Sequence, residues 1–392
     1  MEATALALDH LLRAAGDPVA ALRGIGSGHP ELEQAQTLRA AAGVLAKSPD
    51  AFPEIARALR VADGVVVSPR KRAHLAAAEA WLSGDPVSAV ERYAAILSRW
   101  PRDLLALRLA QSCYFFLGWH ERLCAVVDAV MPAWERGDYN YGYVLAMAAF
   151  AHAENGDAAS AEALGREALA IDPACPFGVH AVAHAIAESG RPCDGARWMR
   201  EQRAHWARES RMRTHNAWHL AMFDAEDGNL AAALDILDEW LLPAAEQSSL
   251  EACDAAGLLW RLAAEGVGDA SRWQRISDDF ERRLVPGFWP FVDLHAGLSH
   301  LAAGNRQRVR RLVEAVERGA GGAGFAAARA REITLPGLAA LSAGERPVLA
   351  GAGGSHIQLD IFRTTWPQLQ SEKEQAKWET KANTSDRAFA ER

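Results

Sequence analysis

With 392 residues, half of them hydrophobic, the chain can bury a large core and is too long for one simple compact domain unless it is modular or repetitive. A net charge of −8 and the lack of any block of Lys and Arg set nucleic acid and anionic membrane aside as partners. Alanine dominates and β-branched runs are scarce, which favours helices throughout.

From the N-terminus, "MEATALALDHLLRAAGD" lacks a basic segment followed by an apolar core, so no secretory signal is expected. No apolar run reaches membrane-spanning length. The five cysteines, Cys113, Cys124, Cys175, Cys193 and Cys253, form no CxxC pair and read as reduced thiols. Together these features predict a soluble, cytoplasmic protein. Residues 1–70 read as a helical segment. Within it "GIGSG", Gly24 to Gly28, is not followed by Lys-Ser/Thr, so a turn is expected there rather than a phosphate loop.

A repeat then begins. The phrases "LSGDP", "FLGWH", "ENGDA", "ESGRP", "EDGNL", "AEGVG" and "AAGNR" carry Gly84, Gly118, Gly156, Gly190, Gly228, Gly266 and Gly304, spaced by 34, 38, 34, 38, 38 and 38 residues. Each glycine closes one apolar helical pattern and precedes another, the left-handed position that ends a helix. The longer period exceeds the shorter by about one helical turn, which predicts a lengthened helix that nearly keeps its face. The unit is helix, tight turn, helix, and its period signals stacked helical pairs. The predicted fold is all-α: an α-solenoid of about seven such repeats over residues 71–318, with helical extensions at both ends. Residues 319–370 are expected to form a C-terminal helical unit that closes over the groove, and 371–392 a polar tail.

The stretch "GDPVSAVERYAAILSRWP" places Ala89, Tyr93 and Pro101 where a tetratricopeptide repeat has them, and "NGDAASAEALGREALAIDP" matches at Ala161, Ala168 and Pro173. Gly165 departs from that pattern, since an aromatic residue is usual there. The stretches "YGYVLAMAAFAHAENGD", "HAVAHAIAESGR", "THNAWH", "LLWRL", "FVDLH" and "GGSHIQLDIF" resemble the family of tetratricopeptide repeat protein 38. That resemblance implies a fold and a set of positions, not a reaction. It also implies that the first helix of each repeat lines a concave groove.

Helical phase, counted back from each glycine at about 100° per residue, places His180, His184, His215, His219 and His295 within an arc of roughly 100°. Leu145, Ala149 and His152 fall on the opposite, packed side. His180 and His215 are 35 residues apart, as are His184 and His219, so the pairs should stand at similar heights on neighbouring first helices. Arg108, Ser112, Tyr143, Phe150, Trp218, Met222 and Trp260 share that phase. Arg108, Tyr143, Phe150, Trp218 and Trp260 are the expected binding residues, and Asp254 or Asp293 is expected to orient a histidine from behind. His356 follows two glycines in "GGSH", and its loop is expected to fold back and add an imidazole. His152 and His300 read as structural residues of the packing seam, and His10, His29, His74, His120 and His205 as surface residues.

Three functions compete. In the first, an enzyme uses His180, His184, His215, His219, His295 and His356 as imidazole acids and bases on a small, partly apolar substrate stacked on Trp218 or Trp260. In the second, HxxxH pairs bind a transition-metal ion of the Zn, Fe, Mn or Cu type, with His184, His219 and His295 as ligands. HExxH is absent, because Ala181 follows His180 and Asn216 follows His215, so protease chemistry is not expected. In the third, the chain is an adaptor with no chemistry whose groove takes a peptide or protein partner. A homodimer is compatible with all three. Cys253 shares the groove phase but reads as structural, and no GxSxG elbow, Walker loop or dinucleotide fingerprint is present.

Overall fold

The computed structural model describes residues 2–64, 68–208, 210–360 and 362; the expected polar tail at 371–392 and residues 363–370 lie outside the described residues. The described chain is all-α, with no strand among the described residues. Seven helical pairs follow one another: Pro69–Leu82 with Pro86–Arg99, Leu104–Leu117 with His120–Val130, Tyr141–Glu154 with Ala158–Ile171, Pro176–Glu188 with Pro192–Glu201, Arg213–Glu226 with Leu230–Ile236, Ser249–Ala264 with Ala270–Arg283, and Pro290–Ala302 with Arg306–Ala320. No described helix is long and apolar enough to cross a membrane.

Each repeat glycine takes a positive φ, from 62° at Gly190 to 84° at Gly156. A Cβ at Gly84, Gly156, Gly190, Gly228, Gly266 or Gly304 would meet nothing within 4 Å, so backbone conformation alone demands glycine there. Polar side chains just after the glycines then start the second helices. Asp85 accepts the Ser88 amide, Asp157 that of Ser160, and Asn305 that of Arg308. The four extra residues of the longer period lengthen the helices only between Gly228 and Gly266. There Leu230–Ile236 runs on through Leu237–Leu241 into Leu242–Ala245, and Ser249–Ala264 has 16 residues. Between Gly118 and Gly156, and between Gly266 and Gly304, the added length goes into the connectors, against the expectation of a longer helix. Gly165 lacks its aromatic side chain because a Cβ would come within 2.6 Å of Val182 Cγ2, so the next helix fills that space.

The chain forms two compact units: Met1–Ser189 with Gln202–Arg213, and Gly190–Glu201 with the chain from Thr214 onward. In the first, the helices Ala3–Arg13, Leu32–Leu45 and Phe52–Ala62 precede the repeats, and Gly24 to Gly28 lies in turns, as expected. Arg13 ties the first helix to Asp172 at 2.8 Å, and the Arg211 amide donates to the Ala14 carbonyl. In the second, the chain returns after Leu335–Ser342 to pack its last described residues on the repeat helices. The Phe291 amide donates to the Ala352 carbonyl, and a Cβ at Gly354 would come within 2.4 Å of the Phe291 ring.

Two histidines expected at the surface are not there. His74 is buried, 2.9 Å from the Asp103 carboxylate that also caps the Leu104–Leu117 helix and accepts Arg70. Burial would raise the Asp103 pKa; His74 and Arg70 outweigh it and hold the group well below its usual range. His120 is the second correction. Its ring is largely covered because it reaches a buried carboxylate.

Candidate functional site

In the first unit, residues 34 or 35 apart on successive first helices meet side by side. Tyr143 packs edge-on against Phe177, and the Arg108 guanidinium lies 4.7 Å over the same ring. Two turns further along, Phe115 tilts against Phe150, and Phe150 in turn meets His184 edge-on at 5.2 Å and stacks on His180 at 5.3 Å. Phe150 thus holds both imidazoles of Pro176–Glu188 in fixed orientations. The four-residue spacing puts them on one helix face, with His180 Nε2 and His184 Nε2 at 2.9 Å.

Behind them stands Glu154, the last residue of Tyr141–Glu154 and only 1% exposed. Its Oε1 lies 2.8 Å from His184 Nδ1 and its Oε2 lies 3.1 Å from His120 Nδ1. Burial alone would raise the Glu154 pKa; hydrogen bonds from His120 and His184 outweigh it and hold the carboxylate ionised far below its usual range. Glu154 Oε1 thus faces the Nδ1 side of His184, His184 Nε2 faces His180 Nε2, and His180 Nδ1 is the far end of the chain.

In the second unit, His215 Nδ1 stands 2.6 Å from Asp254 Oδ2, and Asp254 Oδ1 accepts Gln358 Nε2 at 2.8 Å. His215 stacks on Trp218 at 5.2 Å, and His219 is edge-on to both rings. The Glu251 pKa is raised by burial first and by Asp254 second, with His215 opposing. His295 donates Nδ1–H to the Phe291 carbonyl at 2.7 Å and lies between Phe291 and Phe362. Burial pushes its pKa down to about 4, which keeps the ring neutral near pH 7. Asp293 is fully buried, accepts the Gly287 amide with both oxygens and is pushed up by burial to about 7. Trp260 packs edge-on against Trp273. His356 starts the His356–Leu359 turn of helix and is half-buried. Cys253 is buried and donates to the Ser249 carbonyl.

The structure thus brings His180 and His184 together with Phe150 in the first unit, and His215, His219 and Trp218 with Asp254 in the second. It seats Asp293 against a loop, and His295 in an aromatic sandwich. Of the metal set, His184 belongs to the first unit and His219 and His295 to the second. Glu154 and Gln358 escaped the sequence reading. The phase count puts Glu154 at about 160°, inside the histidine arc, but its place at the helix end hid it. Gln358 is announced by "SHIQ", whose Ser355 and Gln358 form a reciprocal capping box.

An all-α helical-repeat protein with a carboxylate–imidazole network in each unit is the class these features define. No family model matches the chain. Among solved structures it is similar to a tetratricopeptide repeat protein from Parabacteroides merdae, at 13% identity and TM-score 0.38 over 69% of this chain and 98% of that one. It is similar to the Cut9–Hcn1 hetero-tetramer of the APC/C at 12% identity, TM-score 0.42 and coverages of 93% and 68%, and to the human IFIT1 dimer with m7Gppp-AAAA at 14%, 0.43, 96% and 83%. The fold class rests on the chain's own repeated helices.

Proposed function

We propose that the chain binds a small molecule against the His180–His184 face of its first unit and acts on it by imidazole acid–base chemistry, with His215 and Asp254 as a second relay of the same kind. The Glu154–His184–His180 chain carries this reading. A purely structural histidine pair needs no buried carboxylate behind it, whereas a base that must gain and lose a proton gains from one that fixes its tautomer and stabilises its charge. Phe150 supplies an apolar face beside the far end, suited to a flat or apolar part of a substrate. Membership of the tetratricopeptide repeat protein 38 family belongs to this proposal, and attaches no reaction to it.

A metal-assisted variant has one observation in its favour: two Nε2 atoms converge at 2.9 Å on one helix face. The adaptor reading is weaker, because His180 and His184 are 6% and 1% exposed, too covered for a peptide side chain to reach without rearrangement. A ligand screen by thermal shift on the parent and on His184→Ala and His219→Ala, with elemental analysis of each, separates these. Stabilisation by a small ligand that is lost in His184→Ala, with no stoichiometric metal, is the expected result. Stoichiometric Zn, Fe, Mn or Cu lost in the variants would replace acid–base chemistry with a metal centre. Full ligand binding by His184→Ala would remove the imidazole from the site.

A further inference from the structure

Two cations stand together in the first unit without an acid. Lys47 Nζ donates to the buried Ser112 hydroxyl at 3.1 Å. Ser112 lies one helical turn beyond Arg108, on the same face of Leu104–Leu117. Arg108 is close enough to Lys47 to depress the lysine's pKa, second to burial itself, to about 8. Among the described residues neither cation has a carboxylate within ion-pair distance, although this protein pairs nearly every other partly buried arginine with one. Lys47 is also held at φ +47°, a left-handed conformation that a side-chain-bearing residue rarely adopts. Gathering like charges and straining one of their backbones opposes folding, so a compensating charge is missing from the chain itself.

The neighbouring groups are donors too. The Arg108 guanidinium lies over the Phe177 ring, and its buried Nε has no partner among the described residues. The Tyr143 hydroxyl is buried, lies within electrostatic reach of Arg108 and is likewise unpartnered among the described residues. Ammonium, guanidinium and two hydroxyls therefore lie in one region of the first unit, and apart from the Ser112 hydroxyl that takes Lys47, no acceptor meets the Arg108 Nε or the Tyr143 hydroxyl among the described residues.

We propose that Lys47, Arg108, Ser112 and Tyr143 form an anion site that anchors the ligand of the first unit by a phosphate group. Two positive charges balance a dianion better than a single carboxylate, and the number of donors suits three phosphate oxygens. Phe177 and His180 are three residues apart on one helix, so the anchor stands roughly 5 Å along the helix axis from the far end of the imidazole chain. The site therefore selects a small phosphate ester whose other end meets His180 and Phe150. This assignment rests on the small-molecule reading of the first unit.

The test titrates the full chain with inorganic phosphate and, at matched ionic strength, with acetate, by calorimetry and thermal shift. Phosphate should bind and raise the melting temperature, and acetate should do neither. Lys47→Gly and Arg108→Met should each weaken phosphate at least tenfold. Lys47→Gly relieves the left-handed strain, so it should melt no lower than the parent in phosphate-free buffer, which separates lost binding from lost folding. His184→Ala should bind phosphate like the parent. Equal binding of acetate would overturn the dianion assignment, and no phosphate binding, or unchanged binding in both cation variants, would overturn the site. If phosphate behaves as expected while a screened ligand ignores His184→Ala, the anchor stands and the acid–base reading falls.

Discussion

At the scale of single residues, Glu154 decides more than any histidine. It is an ionised group almost wholly removed from water, which is tolerable only because two imidazoles share it. Its folded pKa lies below the usual 4.5, so its contribution to stability is full above that value and is lost as the pH falls through it toward the folded value. Glu154→Gln should therefore cost about 3 kcal/mol at pH 7. Urea denaturation of parent and variant should show the gap closing as the pH drops below about 4.5. Parallel stability curves across that range would mean that the glutamate is protonated in the fold. Lys47 shows how little a sequence reveals of such a position: it sits outside the repeats, in a phrase with no glycine, and its left-handed backbone is visible only in three dimensions.

At the scale of elements, the repeat turns are the most readable feature of the chain. Seven glycines in phase imply seven left-handed helix ends, and the backbone has a positive φ at each. Because no side chain crowds Gly84 or Gly304, Gly84→Ala and Gly304→Ala should each cost about 1 kcal/mol, from backbone strain alone, with a smaller loss for asparagine. Chemical denaturation of the four variants measures this. A loss several times larger would point to hidden packing at the turns. Helix faces were legible for the same reason: the 3.6-residue period fixes His180 and His184 on one side of Pro176–Glu188. The partners of those faces were not, because they come from helix ends and from outside the repeats. His120 begins a second helix, Glu154 ends a first one, and Gln358 lies about a hundred residues from the aspartate it holds. His74 was misread because one polar residue in an Ala-rich helix looks solvated until Asp103 is placed beside it.

At the scale of the whole molecule, each unit keeps its own core and its own carboxylate–imidazole network. The second completes its network with chain from beyond the repeats: Gln358 reaches Asp254, Phe362 covers His295, and Arg261 meets Asp360 at 3.4 Å. Removing everything after residue 350 should therefore expose the Ser249–Ala264 and Pro290–Ala302 helices. Hydrogen exchange should show protection in those two helices falling at least tenfold, and unchanged protection would mean that the returning segment adds little to that core.

The same return has a consequence for how the protein is made. The first unit has all its residues once position 213 has left the ribosome, but the second cannot seal His295 until position 362 follows. At about 5–20 residues per second, that leaves roughly 7–30 s in which a nascent chain carries a finished first unit and an open second one. The apolar rings around His295 are then bare, and a holding chaperone would find its binding site there rather than in the repeats already stacked.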